Sequence, residues 1–373
     1  MKELSSMLKT ILLVIKQNLD IVPAIGNATE ELNSIDAEER DDEVFSRENQ
    51  EIDTYLETPA PQWQFKKIEP IFRKQDNFFH YFMDGTYRHY FLATGLEHHS
   101  STPIFLAQIA ASILFRDKKG ILFVEEKLNR MYILLAKARV SSTAWSKIED
   151  ILEHFKDQNI ELFDLSDEDI LSGNYDSRTD LRRRGEVKVR WIMSHLEKEL
   201  MMRFREKRKA GWFIKDGILR YGSVDPNFAL EKTIGVSKRM SSVQSFFIQQ
   251  QKAKKRISTV NLLKDLPYEH RTPVYCGLDA KTGFWYVRLR KLEHIRYPLF
   301  GIVKVEIPNL ESQEVTTELV DYISSALIAE RFVTPYGSDH RWHAHLYPIY
   351  KAEQVARQCF YSNDVIQGII NWQ

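Results

Sequence analysis

Residues 78–93 read FFHYFMDGTYRHYFLA, and the parsing of this stretch decides the fold. Phe78–Met83 is an aromatic-rich strand and Tyr87–Ala93 alternates as a second strand. Asp84-Gly85-Thr86 between them reads as a tight hairpin turn. Working outward, Pro103–Phe115 is a third, longer strand and Gly120–Val124 a fourth, which makes an antiparallel meander. From Glu125 to Tyr175 an amphipathic helix (Ser142–Phe155) alternates with acidic loop. A long helix follows over Thr179–Phe204, with Val189, Met193, Leu196, Leu200 and Phe204 on one face at the helical period. Gly211–Lys215 is a short buried strand that runs into Asp216-Gly217. Beyond it come a strand at Thr233–Val236 and a basic helix near Ser242–Lys255. Strands at Val274–Leu278, Phe284–Leu289 and Phe300–Ile307 follow, then helices at Thr316–Ala329 and Lys351–Phe360 and a short tail. A meander followed by alternating helices and strands predicts an α/β fold, a mixed sheet flanked by helices.

Upstream of the meander, Met1–Asp20 reads as an amphipathic helix, with Lys16 and Gln17 where a signal peptide would place small residues. Residues 27–57 carry twelve acids against two bases and read as an acidic arm or linker. The expected organisation is therefore residues 1–60 as helix and arm, and 61–373 as one domain with a helical insertion at about 125–178.

The chain has 373 residues, with 52 Lys+Arg against 52 Asp+Glu. Zero net charge excludes a protein that coats nucleic acid by bulk attraction, but it leaves room for a local basic groove. Residues 178–209 supply one, with twelve bases against five acids. The only cysteines, Cys276 and Cys359, exclude a disulfide framework and a cysteine-rich metal site, and point to a reducing, cytoplasmic setting. No apolar stretch is long enough to predict a membrane span.

Two Asp-Gly pairs, Asp84-Gly85 and Asp216-Gly217, each follow an apolar strand. Singly, such a pair is a turn signal. Two carboxylates at the ends of two buried strands are also what a hard divalent cation needs. Glu186 and Glu197 both fall on the apolar stripe of the long helix, whereas Glu199 points away. An inward carboxylate is costly unless it is paired or metal-bound. Lys238 in Gly235-Val236-Ser237-Lys238 and Arg288 in Tyr286-Val287-Arg288-Leu289 could hold phosphate, as could Arg296. His340, His343 and His345 lie close in sequence without the spacing of a known zinc motif.

In this order the motifs resemble those of the NurA nuclease family, from Phe78 to Phe360: Asp84-Gly85, an inward helix Glu, Asp216-Gly217, Gly235-Val236-Ser237-Lys238, Tyr286-Val287-Arg288-Leu289, Arg296-Tyr297-Pro298 and Tyr347-Pro348. The resemblance implies an RNase H-like core and a DNA nuclease dependent on Mn2+ or Mg2+. It also implies a homodimer that works with a HerA-like hexameric ATPase in DNA end processing or in defence against phage. The implied metal set is Asp84, Glu186, Asp216 and Glu353, with Glu197 as the alternative helix acid and Lys238 as the motif lysine. Lys238 and Arg288 would hold the scissile phosphate. Glu353 departs from the family, which has histidine after Tyr-Pro, and His345 is the other candidate for that place. Two rivals remain. One is a DNA-guiding adaptor subunit without strong catalysis. The other is an actin-like phosphotransferase, disfavoured because no glycine-rich phosphate loop is present and only 15 glycines occur.

Overall fold

A computed structural model describes residues 2–24, 30–31, 51–61, 63–71, 77–166, 181–207, 210–219, 231–238, 240, 244–250, 253–277, 280–291, 297–333 and 344–370. The principal elements are α1 (Lys2–Asn18), β1 (Asp20–Pro23), β2 (Phe79–Glu97), β3 (Ser100–Arg116), β4 (Leu122–Leu135), α2 (Ser142–Glu153), β5 (Ile160–Asp164), α3 (Leu181–Glu206), β6 (Trp212–Asp216), β7 (Thr233–Ser237), β8 (Thr282–Arg288), β9 (Ile302–Pro308), α4 (Thr317–Ala329), α5 (Tyr347–Arg357) and α6 (Asn363–Ile369). They form one large mixed sheet with helices on both faces, the α/β class expected from the sequence. Its central order is β8-β9-β7-β6-β2-β3-β4-β5. β2, β3 and β4 are an antiparallel meander, and β6 and β7 continue the sheet parallel to β2.

The first correction concerns the opening stretch. The chain does not turn at Asp84-Gly85-Thr86. It runs through as a single 19-residue strand and reverses only at His98-His99. β3 pairs along nearly all of it, with Asp84 opposite Ser112 and Gly85 opposite Ala111. A neighbour that pairs continuously satisfies every backbone group a turn would have left exposed, so the local turn preference loses.

Alternation along β2 then assigns the two faces. Tyr81 and Met83 lie against Val189, Ile192, Leu196, Leu200 and Phe204 of α3. Phe82 lies on the opposite side, with Ile214, Val236, the α4 residues Val320 and Ile323, and Ile349 of α5. Past a bulge at Phe91/Ala93, the same opposite side receives α1, α2 and α6, where Leu8, Ile11 and Ile15 bury with Trp145, Ile133 and Ile366. Each fully buried leucine or isoleucine there contributes about 1.5–3 kcal/mol. The N-terminal helix is thus packed into the core.

Three further expectations change. β4 continues to Leu135 where helix and loop were expected from Glu125, because Ile133, Leu134 and Leu135 are buried against β3 and the flanking helices. The expected basic helix near Ser242–Lys255 is a hairpin, Ser245–Gln250 paired with Ala253–Ser258, anchored by the buried Phe246 ring. The last helix starts at Tyr347, with Pro348 in its first turn, and α6, capped by Ser362, occupies what read as tail. Of the acidic stretch, only residues 30–31 and 51–57 are described. Glu57 there is buried and bonded to Arg271 at 2.6 and 3.0 Å, so it belongs to the core.

Candidate metal centre

Three parallel strands deliver three side chains to one place. Phe82, Ile214 and Val236 share one core cluster, so they point to one face of the sheet. Asp84, Asp216 and Lys238 each stand two residues further along β2, β6 and the end of β7, and therefore face the same way. The register makes them neighbours: Met83 pairs with Lys215, and Asp216 with Val236. Helix α5 crosses this face, buries Ile349, Ala352 and Ala356, and accepts a hydrogen bond from Ser112 Oγ at the Ala352 carbonyl (2.7 Å). That orientation turns Glu353 toward Asp84, and His345 enters from the segment just before the helix. One ligand atom each from Asp84, His345 and Glu353 lies within 4.8 Å of the others. The Lys238 ammonium is 3.0 Å from Asp216 Oδ1.

Electrostatics separates the two aspartates. Burial pushes the Asp84 carboxyl well above the usual carboxylate range, and the facing Asp216 and Glu353 add to the rise against the pull of Lys238. Asp216 is also buried, which raises it, but Lys238, His345 and Lys215 together outweigh burial and hold it below its ordinary value. Lys238 stays a cation despite burial, because Asp216, Asp84 and Glu353 hold its proton. Carboxylates beside an imidazole form a mixed oxygen and nitrogen donor set that could hold a divalent cation.

Of the two candidate helix acids, Glu197 is the one whose charge reaches Asp84, from the opposite, α3 face of the sheet. Glu186 sits eleven residues earlier, about 16 Å along the axis, and is paired with Arg190 at 2.9 Å. Glu197 comes from the α3 face and packs over Gly85. A Cβ on that glycine would stand 2.5 Å from Glu197 Oε1. Its carboxylate is matched by Lys215, 2.7 Å away on the same face, and it adds to the field that raises Asp84. Lys215 went unrecognised in the sequence. Its signal was its place next to Asp216 in a strand, which sends the two charges to opposite faces.

Arg288 does not join the site. It lies four strand positions from β2, about 19 Å across the sheet. It is 1% exposed, and its guanidinium donates to the carbonyls of Leu266, Phe300, Leu263 and Pro298. The expected phosphate ligand is a buried brace for three chain segments. Several described bases of the 178–209 segment are also engaged within the fold. Arg190, Arg203 and Lys207 pair with Glu186, Glu199 and Glu126, and Lys188 is buried over the Phe163 ring. His340, His343 and Arg296 lie outside the described residues.

In comparison with known proteins, no family model matches the chain, and a search of the curated proteins finds no relative. The geometry of the centre therefore carries the functional argument.

Proposed function

We propose that this protein is a divalent-cation-dependent DNA nuclease with an RNase H-like core, of the kind the resemblance to NurA implies. The observation that carries the reading is the convergence of Asp84, Asp216, Glu353, His345 and Lys238 from three parallel strands and one helix. The strand order supports the core: a three-stranded meander, then α2 with the edge strand β5, the long helix α3, and two strands added parallel to the first, giving β5-β4-β3-β2-β6-β7.

Asp84, Asp216 and Glu353, with the His345 ring, would hold Mn2+ or Mg2+. When bound, such a cation neutralises phosphate charge and makes water a competent nucleophile near neutral pH. The chain's own residues do the rest. The carboxylates would fix the place of the cation, and Lys238 offers an ammonium to the non-bridging oxygens of the scissile phosphodiester. The buried floor of the sheet keeps these charges preorganised. Lys238 takes this role without Arg288. DNA is the substrate, a HerA-like hexameric ATPase and a second copy of the chain are the partners, and the setting is cytoplasmic, in end processing or phage defence. No helix among the described residues is long and apolar enough to cross a membrane.

The test is a labelled linear-DNA assay with Mn2+, Mg2+ or EDTA, on the chain alone and with a HerA-like partner. Cation-dependent cleavage that disappears in Asp84→Asn and Asp216→Asn supports the reading. Equal cleavage in EDTA, or full activity in either variant, overturns it. A second reading, a DNA-guiding adaptor, draws on one observation: Glu353 is already engaged with Arg357 at 2.7 Å. DNA binding without cleavage in that assay would select it.

A further inference from the structure

Two lysines bracket the centre, and they are placed differently. Lys215 pairs with Glu197 on the α3 face of the sheet. Lys238 sits on the α5 face among the candidate ligands themselves. Asp216 is 3.0 Å away, and Asp84 and Glu353 are close enough to act on its charge. The groups facing it are thus Asp84 from β2, Asp216 from β6, Glu353 from α5 and His345 before α5. Only 13% of its side chain is exposed, so little solvent screens it.

An ammonium and a divalent cation seeking the same carboxylates repel each other, strongly so where water is scarce. A lysine has a flexible four-carbon stem, so its charge can be moved aside without unfolding the strand that carries it. Resting on the cation-dependent reading above, we infer that Lys238 is an internal counter-cation: it holds Asp216 and its neighbouring carboxylates together in the cation-free protein and is displaced from Asp216 when a divalent cation binds. Displacement frees the ammonium for a phosphate oxygen. The site's affinity for cation is then lower than its carboxylates alone would give, and cation and phosphate binding are coupled through one side chain.

The experiment measures Mn2+ binding by calorimetry and thermal melting in EDTA for the full chain, Lys238→Met and Lys238→Arg. Lys238→Met should bind Mn2+ about tenfold tighter than wild type. It should also melt at a lower temperature in EDTA, while Lys238→Arg, which keeps the charge, stays near wild type on both counts. Lys238→Met binding Mn2+ no more tightly, or melting in EDTA like wild type, overturns the inference. Pulsed acetylation of wild type, read by mass spectrometry, needs no variant to fold. Lys238 should acetylate faster with Mn2+ than with EDTA, and an equal or slower rate overturns the inference. If wild type binds no Mn2+ at all, the metal-centre reading fails and takes the inference with it. If wild type binds Mn2+ and Lys238 behaves as a bystander, only the inference fails.

Discussion

Asp84-Gly85 and Asp216-Gly217 are the same dipeptide at the ends of similar apolar runs, and the fold uses them in opposite ways. At the first, the strand continues and the glycine is needed for what lies above it, since the Glu197 carboxylate fills the space of its absent Cβ. At the second, the strand ends and the glycine is needed for its backbone. Gly217 has φ +79°, and nothing lies within 4 Å of where a Cβ would be. The aspartates diverge as well. Asp84 faces carboxylates and is held toward its protonated form, whereas Asp216 faces Lys238 and is held ionised. A dipeptide motif therefore specifies a carboxylate near a flexible point and leaves its charge state and its glycine's purpose to the neighbours.

The strongest way to break this comparison is through catalysis, where the two aspartates should behave alike. Asp84→Asn and Asp216→Asn should each lower Mn2+-dependent cleavage by about a thousandfold, the scale for removing a charge-positioning group. Loss in only one of them would show that the pair does not act as a unit.

The next contrast separates the glycines. Gly85→Ala forces its methyl against Glu197 and should cost about 1–3 kcal/mol in denaturant unfolding. The double variant Gly85→Ala/Glu197→Ala should recover part of that cost, because the two positions are coupled. Independent, additive effects would mean that Glu197 does not need the glycine. Gly217→Ala meets no atom and should cost only about 1 kcal/mol, the left-handed backbone alone.

The smallest effects should have opposite signs. The raised Asp84 pKa means that its folded form binds a proton more tightly than the unfolded chain does. Its contribution to stability is present at low pH and is lost as pH rises through its folded value. Asp84→Asn should therefore raise the Tm of the cation-free protein at neutral pH, by about 2 °C or more. Asp216 is lowered, so its contribution is present above the ordinary aspartate value and is lost as pH falls below it. Asp216→Asn should lower the neutral-pH Tm by a similar amount. Neutral-pH melts in EDTA check the two Tm shifts, a scan up to pH 8 follows the loss at Asp84 and one below pH 4 the loss at Asp216, and shifts of the same sign would remove the electrostatic distinction.

Much of the framework was legible because it is written in local pattern. The helical stripe from Val189 to Phe204, the strand before Asp216 and the helix opened by Thr316 all appear within a few residues of their expected bounds. Misreadings arose where long-range pairing overrode local preference. β3 straightened the chain through Asp84-Gly85, and the pairing of Ser245–Gln250 with Ala253–Ser258 made a hairpin of a basic stretch. The choice between Glu186 and Glu197 was not legible. Both fall on the inward stripe by helical phase, and only their tertiary partners, Arg190 for the first and Gly85 with Lys215 for the second, tell them apart. Arg288 misled for a related reason. An arginine among aromatics looks the same in sequence whether it meets phosphate or backbone carbonyls.

By itself the sequence determined an α/β chain with two strand-borne aspartates, an inward helix acid and a lysine after a short strand. Alternation and helical periodicity are properties of consecutive residues, and they show without any partner. The tertiary structure alone decided that Asp84, Asp216, Glu353, His345 and Lys238 share one cluster, that Glu197 backs it, and that Arg288 does not belong to it. Those outcomes depend on which groups burial brings together, whether Asp84 with Asp216 and Glu353 far along the chain or Arg288 with nearby carbonyls, and that is settled by packing.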